Sequence, residues 1–226
     1  MTHGLLCLVT DRRRLAERLQ IPSDDSVAAL IDQIAAAAEA GVDLVVVREP
    51  DLPARTLADL VRETLAVVRG RARVVVNDRL DVALACGADG VHLRGRSFDV
   101  AAARQIAPRP FLIGRSVHDE AAAREAADAD YLFAGTVFAT ASKPGATRLL
   151  GTEGVRRIAA ASSAPVLGIG GVDRPELVAA VMGAGAAGVA AIGGLQPTGV
   201  GGGAVTTVQN CVRRLRSGFD LSGRLS

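Results

Sequence analysis

Aromatic residues are nearly missing from this sequence: Phe, Tyr and Trp make up 3% of its 226 residues, and there is no Trp. A sandwich of sheets leans on bulky rings, so the core here must be filled by Ala, Val, Leu and Gly. That favours close-packed helices over parallel strands. The scarcity also removes the stacking platforms of a nucleic-acid reader. Cysteine is scarce as well. Cys7, Cys86 and Cys211 are far apart and odd in number. With no metal-spaced pair among them, they read as reduced thiols of a cytoplasmic protein, and no secretory signal is visible at the N-terminus. Neither sign of charge dominates: 26 basic against 24 acidic residues leave +2, which gives no general attraction to nucleic acid or to a membrane surface. The Arg-rich run DRRRLAER (11–18) reads as a solvated helix end. The longest apolar run, 177–195, reaches membrane length. It is broken by glycines and follows a helix-start pattern, so it reads as a soluble helix feeding a buried strand.

What is present is a repeat. Hydrophobic residues make up 49%, enough for a sizeable core. Eight short, Val-rich runs occur at 5–10, 43–48, 73–77, 89–93, 111–115, 131–135, 165–170 and 188–193. None alternates apolar with polar for long, so both faces should be covered, as in parallel strands. Ala-rich helical patterns lie between them, such as 26–41, ending at Gly41, and 173–185, with Pro175 near its first turn. The junctions AGVDLVV, CGADGVHL and AGAAGVAAI share a helix-stopping Gly, a short step and a Val-led strand. Eight strand–helix units in this length predict a single-domain (β/α)₈ TIM barrel over residues 1–226. A doubly wound open sheet is the alternative. The stretch 196–207 reads as a flexible loop, and a loose tail is expected from about residue 217.

Barrels collect function at the C-terminal ends of their strands, and polar groups gather there. Arg48 follows the second strand. Asn77 and Asp78 follow the third. His92, Arg94 and Arg96 lie in or after the fourth. Arg115, Ser116 and His118 end the fifth, and Lys143 lies in a long loop after the sixth. The last two strands end in Gly170–Gly171 and Gly193–Gly194, where such barrels hold a phosphate with backbone N–H groups. Gly171, Gly193 and Gly194 are therefore candidate phosphate binders, and plain turn glycines are the alternative. Arg48 can grip an anion bidentately or pair with Glu49 or Asp51. Asp78 can be a ligand or a helix cap. His92 reads as a satisfied core histidine. Strand alternation puts Leu112, Gly114 and Ser116 on one face, and His118 continues that face into the site, where an imidazole can take and return a proton. Arg115 then points to the helical shell or a neighbouring loop.

On LVTD (8–11), VVREPDL (46–52), VNDRLDVALACGADGVHL (76–93), VFATASKPG (137–145) and GIGGV (168–172), the chain resembles the superfamily of thiamine phosphate synthase and TenI-type thiazole tautomerases. The synthase pattern carries Gln, Arg and Lys where this chain has Val46, Arg48 and Pro50. It also carries two metal-holding Asp residues, where this chain has Asp78 and, near the second, Ser97. GRSF (95–98) and IGRSVH (113–118) are similar to the TenI branch, whose acid/base histidine corresponds to His118. The resemblance thus implies a thiazole tautomerase, an isomerase that aromatises a carboxythiazole phosphate in thiamine biosynthesis. His118 would move the proton, Arg48, Asn77, Ser116 and Lys143 would bind substrate, and no metal or other cofactor would be required. The alternatives are a thiamine phosphate synthase, a transferase using Mg²⁺ with Asp78 as ligand, and a non-catalytic thiazole-phosphate-binding regulator. The expected partner is a phosphorylated thiazole, with no nucleic acid and no membrane. A homo-oligomer is left open.

Overall fold

A computed structural model describes residues 4–107, 109–140, 148–197 and 204–222. The strands are β1 (Leu5–Val9), β2 (Leu44–Val47), β3 (Arg73–Asn77), β4 (Gly90–Leu93), β5 (Leu112–Val117), β6 (Tyr131–Gly135), β7 (Val166–Ile169) and β8 (Gly188–Ala191). Each pairs in parallel with the next, and β8 pairs with β1, so the sheet closes. The helices are α1 (Arg12–Leu19), α2 (Ser26–Glu39), α3 (Ala54–Val68), α4 (Leu80–Cys86), α5 (Val100–Ile106), α6 (Glu120–Glu125), α7 (Gly151–Ala161), α8 (Pro175–Gly183) and α9 (Ala204–Ser222). The chain is a single-domain (β/α)₈ barrel. α9 continues to Ser222, so the stretch expected to be loose from residue 217 is helical up to that point.

Two layers of apolar side chains result from the pleat. Val45, Val47, Val74 and Val76 point outward, into the layer shared with the helices. Cys7, Val9, Val46, Val75, Tyr131, Phe133, Leu167 and Ala190 point inward and fill the barrel. Small residues make room for the few rings. A Cβ on Gly114 would overlap the ring of Tyr131, so glycine at the centre of β5 is what admits that side chain on β6.

The bottom of the barrel is fastened by a repeated device. Asp43, Asp89 and Asp130 stand just before β2, β4 and β6. Each accepts a hydrogen bond from a backbone N–H of the preceding strand: Leu6 at 2.7 Å, Val74 at 2.8 Å and Ile113 at 2.7 Å. Each is also paired with an arginine, Arg216 at 2.6 Å, Arg73 at 2.7 Å and Arg104 at 2.6 Å. The repeat thus has a period of two strands, and Ala187 stands at the fourth position. With one rim held this way, the other rim is free to carry chemistry.

Candidate active site

A cleft of about 1000 Å³ opens at the C-terminal ends of the strands. One wall is made by the loops after β7 and β8. Gly170 and Gly171 have φ of 101° and 71°, which only glycine adopts freely. A Cβ on Gly171 would lie 2.6 Å from the carbonyl oxygen of Ala139, and one on Gly194 2.8 Å from that of Val172. Close packing of backbone against backbone therefore requires glycine at both positions. Gly171, Gly193 and Gly194 all line the cleft.

The arginine run of α1 contributes to this wall, which differs from the solvated helix end expected. Arg14 and Arg18 lie four residues apart on one helical face and both line the cleft. Arg18 donates to the carbonyls of Gly193 at 3.2 Å and Gln196 at 3.4 Å. The Nη2 atom of Arg14 is 3.2 Å from where a Cβ on Gly193 would sit. Arg12, by contrast, is used structurally, pairing with Glu49 at 3.1 Å and Asp51 at 2.5 Å. The spacing of Arg14 and Arg18 directly after β1 was the available clue. It could be used only once the N-terminal end of α1 was known to sit at the reactive rim.

Arg48, Asn77 and Arg94 follow or end β2, β3 and β4 and form the opposite wall. Arg12 occupies both carboxylates that Arg48 could have paired with. The Arg48 guanidinium has no partner among the described residues, and its backbone N–H is fixed by the Thr10 hydroxyl at 2.8 Å. Burial pushes the Glu49 carboxyl up, against the pull of Thr10 and Arg12. Asp78 does not cap a helix. It stands at φ 60° and reaches over to the β4–α5 loop. One oxygen accepts from the Arg94 backbone N–H at 2.9 Å and from the Ser97 hydroxyl; the other is paired with Arg94 Nε. Arg115 holds the same loop from β5, donating to the carbonyls of Phe98 at 2.8 Å, Gly95 at 3.1 Å and Ser97 at 3.4 Å.

The floor is polar at one point. His92 is 2% exposed. Its Nδ1 is 3.1 Å from the Tyr131 hydroxyl and its Nε2 is 2.8 Å from Ser116 Oγ. Burial pushes the imidazole down to about 3 and the Tyr131 phenol well up, so both are neutral. The Tyr131 hydroxyl has no other hydrogen-bond partner among the described residues, so it donates to Nδ1. Nε2 then carries the ring hydrogen and donates to Ser116, whose own hydrogen is left to point into the cleft. His118 lies on the rim, donating from Nδ1 to the carbonyl of Gly135 and leaving Nε2 as an acceptor near Gly95. Lys143 lies outside the described residues. Among those that are described, no three His, Cys, Asp or Glu side chains gather as a metal cluster.

The family model described as thiamine monophosphate synthase (TMP-TENI) matches residues 19–195. The chain belongs to that family. Among curated members of the TMP-TENI family and related proteins, the thiamine-phosphate synthase of Methanoregula boonei is 45% identical over 155 residues, covering 67% of this chain and 71% of that protein. The thiamine-phosphate synthase of Methanoculleus marisnigri is 41% identical over 194 residues, 83% of this chain and 88% of the other. Among solved structures, thiamine phosphate pyrophosphorylase from Pyrococcus furiosus superposes with a TM-score of 0.78 at 29% identity, over 98% of both chains.

These relatives overturn the isomerase expectation, because proteins 41% and 45% identical to this chain over most of its length are named thiamine-phosphate synthase, a transferase. The tautomerase reading drew its weight from a few positions: Val46, Pro50, Ser97 and the histidine of IGRSVH. The overall identity to the synthases, 41% over 83% of the chain in one case, points the other way. Among the described residues, no helix is long and apolar enough to cross a membrane.

Proposed function

We propose that the protein is a thiamine-phosphate-synthase-type transferase joining a pyrimidine methyl diphosphate to a thiazole phosphate. The ring nitrogen of the thiazole attacks the pyrimidine methylene carbon. A C–N bond forms, the C–O bond to the diphosphate breaks, and the bonding pair leaves with the diphosphate. The product is a thiazolium cation, so this substitution needs no net proton transfer and no catalytic base.

The observation that carries this reading is the two-sided cleft. Its volume suits two ring-bearing substrates, and each wall carries its own anion-binding equipment. Gly171, Gly193 and Gly194, backed by Arg14, would hold the phosphate of the thiazole. Arg48 and Asn77, with Arg94 beside them, would hold the diphosphate and stabilise the charge that builds on it as the bond breaks. The Ser116 hydroxyl and the His118 Nε2 acceptor would orient the pyrimidine between them.

The family implies Mg²⁺ at the diphosphate, and Asp78 is the residue that would hold it. The donor set does not suit that ion. The Asp78 carboxylate already accepts from Ser97 and from the Arg94 backbone, and it is ion-paired with the Arg94 side chain. Ser97 offers no second carboxylate. No step is therefore routed through a metal.

The test is turnover. Purified protein incubated with both substrates, in parallel with Mg²⁺ and with EDTA, should form thiamine phosphate and an equal amount of pyrophosphate. Arg48→Ala should lower kcat/KM by about a hundredfold, two charge-assisted hydrogen bonds being lost where charge develops. No product in either condition rejects the reading.

A further inference from the structure

We infer that this site neutralises the substrate diphosphate with the guanidinium groups of Arg48 and Arg94 in place of a divalent cation, and that Asp78 holds the Arg94 fork in place to grip it. This rests on the transferase reading above, and it deepens that reading at one wall of the cleft.

Arg94 is held unusually for an exposed arginine. Its side chain is 61% exposed, yet its Nε is tied to Asp78. Its backbone N–H donates to the same carboxylate at 2.9 Å and lies 3.2 Å from Ser97 Oγ. The two terminal nitrogens, Nη1 and Nη2, have no partner among the described residues. An arginine pinned through Nε presents its fork with little entropy left to lose, in the geometry that matches two phosphate oxygens. Arg115 ties down the carbonyls of the loop that carries it, so the pedestal of the fork is fixed too.

The same contacts disqualify Asp78 as a metal ligand. Magnesium is usually bound by one or two carboxylates together with substrate phosphates and water. Here the one carboxylate is spent on Ser97 and Arg94. Asp99, the acid at the end of the same β4–α5 loop as Ser97, caps α5 by accepting from the Ala102 N–H at 2.6 Å. A divalent cation at Asp78 would have to displace Arg94 and would then sit beside it. Asp78 cancels one charge of the wall, but Arg48 is uncompensated, so a net positive charge faces the diphosphate.

Isothermal titration calorimetry with inorganic pyrophosphate tests this directly. In EDTA, pyrophosphate should bind, and replacing EDTA by Mg²⁺ should change Kd by less than about threefold. Arg94→Gln should weaken binding in EDTA by about tenfold, the loss of one charged bidentate contact. That position is exposed, and circular dichroism will check that the variant folds as the parent does. Binding that requires Mg²⁺, no binding in either condition, or an Arg94→Gln protein that binds as tightly as the parent would each overturn the inference. The outcomes separate from those of the transferase reading. Metal-free binding without turnover would leave this site standing and remove the reaction. Turnover with Mg²⁺-dependent binding would do the reverse.

Discussion

Ser116 is small and could pass for filler in a crowded barrel. What gives it a defined role is the chain of neutral groups behind it, from the Tyr131 hydroxyl through His92 to Ser116 Oγ. Tyr131 sets which nitrogen of His92 carries hydrogen, and that sets Ser116 as a donor to the cleft. Tyr131→Phe and Ser116→Ala should each lower kcat/KM for thiamine phosphate formation by about tenfold, and the double variant should fall little further. Groups that act as one unit are non-additive in this way, whereas independent packing losses would multiply. A double-mutant cycle on kcat/KM reads the difference. None of this relay could be read from sequence. His92 was legible as a core histidine from its apolar neighbours, but its partners lie 24 and 39 residues away, and only barrel closure brings them together. The cap reading of Asp78 failed for a similar reason: its place before a helix was visible, and its contacts with Ser97 and Arg94 were not.

The elements themselves were plain in the sequence, because parallel strands buried on both faces must be apolar along their whole length. All eight predicted runs overlap the observed strands, with ends displaced by a residue or two. β5 is the exception in length, continuing to Val117 through Arg115 and Ser116. Polar residues there mark the reactive rim while the strand still runs. The short step before the strands held a further message in its acids. Asp130 accepts from the Ile113 N–H at 2.7 Å and from Arg104 at 2.6 Å. Asp130→Ala would strand a partly buried N–H and guanidinium, and should lower the unfolding free energy by about 2–3 kcal/mol, measured by urea denaturation. Asp43→Ala should behave alike, since it fills the same place four strands earlier, before β2.

For the molecule as a whole, the buried imidazole makes stability depend on pH. Burial depresses the folded His92 imidazole to about 3, from the 6.5 of an ordinary exposed histidine. Between those values the unfolded chain binds a proton that the native state refuses, so stability falls as pH falls. Well below 6.5 the slope from this one group approaches about 1.4 kcal/mol per pH unit, and the loss between pH 6.5 and 4.5 is about 2 kcal/mol. Above about pH 7.5 the effect vanishes. Urea titrations across that range should show the decline, and His92→Gln, which cannot be protonated, should flatten it.

The pairing of β1 with β8 has a consequence for how the chain is made. Of the barrel's strands, the first to leave the ribosome finds one of its two neighbours in the last. At roughly 5–20 residues per second, on the order of tens of seconds pass in which the apolar edge of the nascent N-terminal strand stays open. Throughout that interval the growing polypeptide offers other chains a template for association, so its yield in a cell depends on whatever shields that edge until synthesis reaches Ala191.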